Sequence, residues 1–111
     1  MSESNAFVSA DEANWTATEP GVTRRIMAYL PELMMVEVAF EEGAIGSLHS
    51  HPHIQASYVA EGRFEVTIDG MTQELGLGGT FIVKPNLVHG VKALEKGRLI
   101  DTFTPYREEF L

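Results

Sequence analysis

The fold is decided by residues 61–79, which read EGRFEVTIDGMTQELGLGG. From Phe64 to Ile68 apolar and polar residues alternate, and this period of two is typical of a strand with one wet face. Asp69-Gly70 follows at once, and this dipeptide favours a tight hairpin turn because the turn requires positive φ. The stretch therefore predicts a β-hairpin whose second strand covers residues 71–77.

On both sides of this hairpin, short apolar runs separated by turn residues continue the pattern. Further strands are predicted over residues 22–30, 33–40, 54–60, 80–83, 89–93 and 98–103. No helical period persists for three turns, and only residues 105–110 resemble a short helix, with Pro105 suited to its first position. About eight to ten short strands in one small chain predict an all-β fold, an antiparallel β-barrel or jelly roll with a short C-terminal helical turn. Small ligands usually bind at the mouth of such a barrel.

The chain has 111 residues and a formal net charge of −8. The length limits the number of domains, and the charge limits the classes of binding partner. This length fits one domain, so we expect a flexible, polar N-terminal segment over residues 1–14 and a single barrel domain over residues 15–111. The acidic charge argues against a nucleic-acid partner, because the chain would repel a phosphate backbone.

Cysteine is absent, which excludes disulfides, thiolate metal sites and a cysteine nucleophile. The first residues lack the apolar segment of a signal peptide, and no run approaches the ~20 apolar residues of a membrane span. We therefore expect a soluble, cytoplasmic protein with no membrane partner.

Three of the four histidines, His49, His51 and His53, lie within five residues, and His89 follows after two turn signals. Side chains alternate along a strand, so these three and Gln55 share one face if the strand stays regular across the intervening proline. Two imidazoles at i and i+2 can converge on one metal ion, and a third ligand from another strand with a nearby oxygen would complete the site. The alternative is a set of surface histidines without a function.

The spacing of these residues resembles the two sequence motifs of the cupins. Residues Gly43 to Gly62, with His49-Ser50-His51 and Gln55 inside, are similar to the first motif, and Gly79 to His89 is similar to the second, with a shortened interval before the histidine. The resemblance implies a small cupin-type (RmlC-like) barrel that binds one divalent transition metal, with the ligands His49, His51, Gln55 and His89. His53 is not a ligand in that pattern, and it lines the pocket or its rim or has a packing role.

One departure from the common cupin pattern concerns Gln55, because most cupins have glutamate at this position. Glutamine offers a neutral carbonyl oxygen, so a divalent ion bound by it and by three neutral imidazoles keeps its full charge. A higher charge disfavours further oxidation of iron and favours an incoming anion, which indicates Lewis-acid rather than oxygen chemistry. The metal itself is not specified, since Ni, Zn, Fe, Mn and Co all accept this ligand set.

A second group of candidate residues lies at the C-terminus. Alternation places Asp101 and Phe103 on one face of the last predicted strand, and if that face lines the pocket, a carboxylate and an aromatic wall point at the metal. Arg107 follows at a position suited to the mouth, where a guanidinium could hold a substrate carboxylate. The alternatives are an exposed Asp101 and an Arg107 that lies in solvent or pairs with Glu108 or Glu109.

Residues 43–59 and 99–111 resemble a narrower group, the small cupins of pectin and alginate breakdown that linearise 4,5-unsaturated uronates. This group also carries glutamine at the metal position. The resemblance implies that Asp101, Phe103 and Arg107 belong to the active site of an enzyme. It also implies that this enzyme opens the ring of a small anionic sugar in a metal-dependent reaction that gives a 5-keto-4-deoxyuronate.

Two other functions remain open at this point, a metal-dependent dioxygenase on the same barrel and a non-catalytic sugar-binding cupin. The glutamine at position 55 and the lack of a second redox group count against the dioxygenase. Small cupins commonly pair, so we also expect a homodimer in which the apolar region near Met27, Leu33 and Met35 lends an edge to the partner.

Overall fold

The computed structural model describes residues 2–111, and within them it has ten β-strands and two short 3-10 turns. The strands are β1 (Thr16–Glu19), β2 (Val22–Leu30), β3 (Leu33–Phe40), β4 (Ile45–His49), β5 (Ile54–Glu61), β6 (Phe64–Ile68), β7 (Met71–Leu75), β8 (Thr80–Val83), β9 (His89–Ala93) and β10 (Gly97–Thr104). The 3-10 turns cover Ala10–Glu12 and Glu108–Phe110. No helix in the described residues has the length and apolar character that crossing a membrane requires.

The strands form two antiparallel sheets that share a core. The larger sheet has the order β1-β2-β3-β10-β5-β8 and the smaller one β4-β9-β6-β7. Buried apolar residues of one cluster come from both sheets: Val22, Phe40, Val59 and Leu99 from the larger, and Phe64, Val66 and Ala93 from the smaller. The two sheets therefore face each other as the walls of a barrel, and the predicted all-β barrel is confirmed.

The hairpin predicted from residues 61–79 is present, with β6 and β7 paired on either side of a tight turn. Asp69 and Gly70 both adopt positive φ, at 50° and 80°, as this turn requires. The returning strand ends at Leu75, two residues earlier than predicted, because a new turn begins at Gly76.

Two strands, β1 and β4, were not predicted from the sequence. All four residues of β1 are exposed or half-buried, so no alternation of apolar and polar residues marks it. In β4 only Gly46 is half-buried and the other residues are exposed. Both strands form through pairing with a neighbour, β1 with β2 and β4 with β9, rather than through an apolar face of their own.

β10 is the central strand of the larger sheet and positions the C-terminal candidates. It pairs with β3 on one side and with β5 on the other. Its residues alternate strictly, so that Leu99, Asp101 and Phe103 are buried and point into the barrel. The Cα partner of Asp101 on β5 is Ser57, which brings these two side chains together inside the barrel.

The turn after β5 and the turn before β10 approach each other closely at glycine positions. Gly62 has a φ of 80°, and a Cβ there would lie 2.4 Å from the carbonyl oxygen of Lys96. A Cβ on Gly97 would lie 2.5 Å from the Glu61 carbonyl oxygen and 2.9 Å from the Phe64 ring. Glycine is therefore required at both positions by the backbone contact between the two turns.

The C-terminal helical turn predicted from the sequence is present, but it begins at Glu108. The prediction that Pro105 occupies its first position is therefore wrong. The reason is a tertiary contact, because the Tyr106 N–H donates to the Pro31 carbonyl (2.9 Å) and the Tyr106 ring packs against Tyr29. These contacts hold the chain against the β2–β3 turn before the 3-10 turn can start.

Candidate metal centre and active site

Three histidines from different parts of the chain meet at one end of the barrel. His49 is the last residue of β4 and His89 the first of β9, and the two are paired across the strands with ring centroids 4.4 Å apart. His51 follows β4, and its ring centroid lies 4.8 Å from that of His89. One ligand nitrogen of each residue lies within 4.8 Å of the others, so the three could hold a metal ion.

The histidine segment is not a regular strand. Residues 50–53 lie between β4 and β5, although buried and exposed side chains still alternate from His51 to Gln55. His53 does not belong to the group of three, and its ring packs against His51 and Phe103 at centroid distances of 5.4 and 6.4 Å. His53 is itself buried, and through these two contacts it packs against rings of the site.

Hydrogen bonds fix the tautomers of two of these rings. The Nδ1 atoms of His49 and His89 face the backbone carbonyls of Ser47 (2.8 Å) and Leu87 (2.9 Å). A carbonyl oxygen only accepts, so Nδ1 carries a proton in each ring, and Nε2 is the nitrogen that is left to bind a metal in the neutral form. This orientation by a backbone carbonyl is common for histidines that bind metals.

A chain of hydrogen bonds sets the orientation of Gln55. The Ser57 hydroxyl donates to Oδ1 of Asp101 (2.5 Å), and the hydroxyl oxygen accepts from Nε2 of Gln55 (3.0 Å). The amide oxygen of Gln55 must then point the other way, toward Nε2 of His51 (3.0 Å) and of His89 (3.2 Å). Ser57 thereby connects the carboxylate to the histidine cluster.

The donor set fits a divalent metal ion. Nε2 of His89 and Oε1 of Gln55 both present lone pairs to each other across 3.2 Å, and two acceptors repel unless a cation lies near both. Burial lowers the pKa of His51 to about 4 and also lowers the pKa of His89. Both imidazoles are therefore neutral at pH 7, which is the form that binds metals.

Asp101 is a buried carboxyl group beside this cluster. Burial raises its pKa to about 6, against the opposing effects of the Ser57 hydrogen bond and the positive charge of Arg107. At neutral pH the group is largely ionised, yet its pKa is near the operating range. A carboxylate in this state is suited to accept and return a proton.

A cavity of about 250 Å³ opens beside these groups. Its wall brings together six of the seven candidate residues predicted from the sequence: His49, Gln55, His89, Asp101, Phe103 and Arg107. The seventh, His51, is buried and does not contribute to the wall, although it contacts Gln55. The face of β10 that carries Asp101 and Phe103 is therefore the pocket face.

The sequence left two positions open for Arg107, one at the mouth of the pocket and one paired with an acidic neighbour, and the structure shows both. Arg107 lines the cavity, with its guanidinium carbon 5.1 Å from the Phe103 ring centroid, and its Nε also donates to Glu109 (2.8 Å). Only 12% of its side chain is exposed, so the guanidinium is held at the cavity rather than free in solvent.

Several residues of the site were not identified from the sequence. The cavity wall also contains Glu19, Arg24 and Phe110, and Ser57 lies behind it. The alternation of β5 places Ser57 on the same face as Gln55, and the alternation of β2 places Arg24 on the same face as the buried Val22. These patterns were visible in the sequence, but their partners on distant strands were not.

Comparison with known proteins agrees with the fold and the motifs. The family model described as Cupin domain matches residues 36–103. The chain is 46% identical over 103 residues to the pectin degradation protein KdgF of Dickeya dadantii, covering 91% of this chain and 94% of that protein.

Two of the similar solved structures are matched over nearly the whole of both chains. An RmlC-like cupin from Shewanella frigidimarina is 39% identical, with a TM-score of 0.95 and 100% of each chain covered. KdgF from a Halomonas species is also 39% identical, with a TM-score of 0.91 and coverage of 97% of this chain and 100% of that one. With its barrel, its motif spacing and these matches, the chain belongs to the cupin family and has the RmlC-like cupin fold.

Proposed function

We propose that this cupin catalyses the metal-dependent ring opening of a 4,5-unsaturated uronate to a 5-keto-4-deoxyuronate. The observation that carries the proposal is the Gln55–Ser57–Asp101 chain, which joins a buried carboxyl group beside the cavity to His51 and His89 of the histidine cluster. The similarity to a protein named for pectin degradation supports a sugar acid as substrate.

The reaction requires a base and stabilisation of negative charge, but no redox partner. Loss of the proton from the C1 hydroxyl allows the bond between C1 and the ring oxygen to break, which leaves an aldehyde at C1 and an enolate at C5. The enolate then takes a proton at C4. A divalent ion bound by His49, His51, Gln55 and His89 would supply positive charge where negative charge develops on oxygen.

The side chains divide these tasks. Asp101 accepts the proton from the C1 hydroxyl and returns one at C4, and its pKa of about 6 suits both steps near neutral pH. Arg107 holds the substrate carboxylate, since its guanidinium lies at the cavity wall. Phe103 is the apolar wall against which one face of the sugar packs.

The size of the cavity supports a single sugar unit as substrate. At about 250 Å³ it lies just below the range of roughly 300–1,000 Å³ that is common for small-molecule sites. We therefore propose a monomeric unsaturated uronate.

The direct test is to mix the metal-loaded protein with the unsaturated uronate and to follow the absorbance of its conjugated enoate. We expect this absorbance to decay much faster than in buffer, without consumption of oxygen at an oxygen electrode. Decay no faster than in buffer would contradict the proposal. Oxygen uptake would favour the dioxygenase, and binding without turnover would favour a sugar-binding cupin.

Asp101→Asn tests the role of the carboxylate. We expect the variant to fold and to retain its metal, because asparagine can still accept the Ser57 hydrogen bond. Turnover should fall by ~10²–10³, the usual effect of losing one such contact in the transition state. Turnover near that of the wild type, at equal metal content, would remove Asp101 from the mechanism.

A further inference from the structure

Arg24 is a second arginine in the cavity wall, and neither the sequence motifs nor the mechanism above use it. It lies on β2, two residues after the buried Val22, and points toward the interior of the barrel. Its guanidinium carbon lies 3.7 Å from the centroid of the Phe110 ring. The same ring lies 4.3 Å from the guanidinium carbon of Arg107, so one aromatic side chain holds both cations at the cavity.

The charge of Arg24 has no bonded counterion within residues 2–111, where the ion pairs of the chain involve other arginines. Glu109 is bonded to Arg107 and acts on Arg24 only through its charge, without an ion pair. Burial and the positive charge of Arg107 both lower the pKa of Arg24. Two cations are thus held near each other at an electrostatic cost, which a bound anion would relieve.

The neighbouring Arg25 shows the contrasting arrangement of a structural arginine. Its guanidinium also stacks on an aromatic ring, Trp15, but it is neutralised by the buried carboxylate of Glu37 at 2.5 Å. Arg24 stacks on Phe110 without a bonded carboxylate, and it is one of the residues that line the cavity. The difference indicates that the partner of Arg24 is a ligand that enters the cavity.

We infer that Arg24 is a substrate-binding residue that, alongside Arg107 in the cavity wall, attracts and binds a sugar acid through the negative charge of its carboxylate. The identity of the sugar acid rests on the proposed function, whereas the anion-binding role rests on the two guanidinium groups in the cavity wall. A pair of fixed cations selects acidic sugars over neutral ones, and it gives a protein of net charge −8 a local attraction for an anion.

The test measures binding of D-galacturonate and of the neutral D-galactose to the metal-loaded protein by calorimetry. We expect the wild type to prefer galacturonate, and Arg24→Gln to weaken galacturonate binding by about 10- to 100-fold, the range for one hydrogen bond to a charged group. Galactose binding should change little. Arg63→Gln is the matched control, because Arg63 is an exposed arginine that pairs with Glu74 away from the cavity.

Arg24→Lys keeps the inference testable if Arg24→Gln does not fold, as judged by circular dichroism. Lysine retains the charge but lacks the planar fork of the guanidinium, so we expect a smaller loss of galacturonate binding. Equal preference of the wild type for both sugars, or unchanged galacturonate binding in the folded Arg24 variants, would overturn the inference.

The binding test and the turnover test can contradict the two proposals independently of each other. If the unsaturated uronate is not turned over but Arg24→Gln selectively loses galacturonate, the proposed function fails and the anion-binding role stands. If turnover is present and the Arg24 variants bind galacturonate and saturate with substrate as the wild type does, only the role of Arg24 is refuted.

Discussion

Glutamine at position 55 satisfies the hydrogen-bonding requirement of its neighbour Ser57, in addition to offering an oxygen to a metal ion. Ser57 has one hydroxyl proton, which it donates to Asp101, so the group on its other side must be a donor. The amide nitrogen of glutamine meets this requirement, whereas an ionised glutamate would place a second acceptor against the same oxygen. The amide of Gln55 therefore presents its oxygen to the histidines and its N–H donor to Ser57, which in turn is bonded to Asp101.

Ser57→Ala tests this chain through the pH dependence of activity. The Ser57 hydrogen bond lowers the pKa of Asp101, so its removal should raise that pKa above the present value of about 6. Because the ionised form of Asp101 is the proposed base, activity should be lost at a higher pH on acidification. A shift of the acidic limb of kcat/KM by about one pH unit corresponds to one hydrogen bond to a charged group.

The exposed Ser50 supplies a matched control, and Ser50→Ala should leave the acidic limb in place. Metal content should be equal in all three proteins. An unchanged limb in Ser57→Ala would mean that a group other than Asp101 controls the acidic side of the profile.

The candidate residues could be found from the sequence because they follow local rules, whereas their supporting residues do not. Alternation on one strand places Asp101 beside Phe103, and the resemblance to the cupin motifs implies the ligand set of His49, His51, Gln55 and His89. The roles of Ser57 and Arg24 depend on partners far away in sequence, since the Ser57–Asp101 bond spans 44 positions. Such a pairing follows only from the strand order.

At the scale of elements, the predictions succeed where a strand has an apolar face of its own. β6 and β10 are examples, because their buried residues alternate and thus reveal both the strand and its orientation. β1 and β4 have no such face, and the start of the C-terminal turn is displaced by the Tyr106–Pro31 hydrogen bond. In these cases tertiary pairing overrides local sequence preference.

The close approach of two turns leads to a prediction about stability. Gly62→Ala combines a positive φ with a Cβ placed 2.4 Å from the Lys96 carbonyl oxygen, so we expect a loss of about 3 kcal/mol or more in the free energy of unfolding. Gly70→Ala is the control, because φ is also 80° but no atom lies within 4 Å of the new Cβ. Its cost should be only about 1–2 kcal/mol.

Urea titration of both variants measures the difference. If Gly62→Ala loses more free energy of unfolding than Gly70→Ala, the difference comes from the backbone contact between the two turns. Equal losses would show that φ alone matters and that the chain relaxes around the added methyl group.

At the scale of the whole molecule, the candidate site joins the two sheets. His49 and His89 belong to the smaller sheet, while Gln55 and Asp101 belong to the larger one. A ligand held by both groups would add a link between walls that otherwise meet through apolar side chains.

Metal removal should therefore lower the thermal stability of the protein. An ion present at 100 times its Kd stabilises the folded state by about 2.7 kcal/mol, which corresponds to roughly 10 °C or more in Tm for a domain of this size. Thermal scans before and after chelation measure the change. His49→Ala should show little further decrease on chelation, and an equal decrease in that variant would contradict a site that includes His49.

The homodimer expected from the sequence stays a prediction. Leu33 and Met35 are 51% and 42% exposed on β3, and Met27 is half-buried. We expect the wild type to elute as a dimer in size-exclusion chromatography and the double variant Leu33→Glu/Met35→Glu to elute as a monomer. Leu77→Glu, at another exposed leucine, should leave the elution unchanged. A monomeric wild type would refute the expectation.

The register in which β10 pairs with its two neighbours decides whether a folding chain also forms the candidate site. Leu99, Asp101 and Phe103 share one face, so a slip of one residue would turn all three outward and bring Ile100 and Thr102 in. A mispaired chain would lose its apolar interior and its reactive groups together. We therefore expect preparations recovered from denaturant to contain fully competent molecules and unfolded ones, with few that are folded but inert.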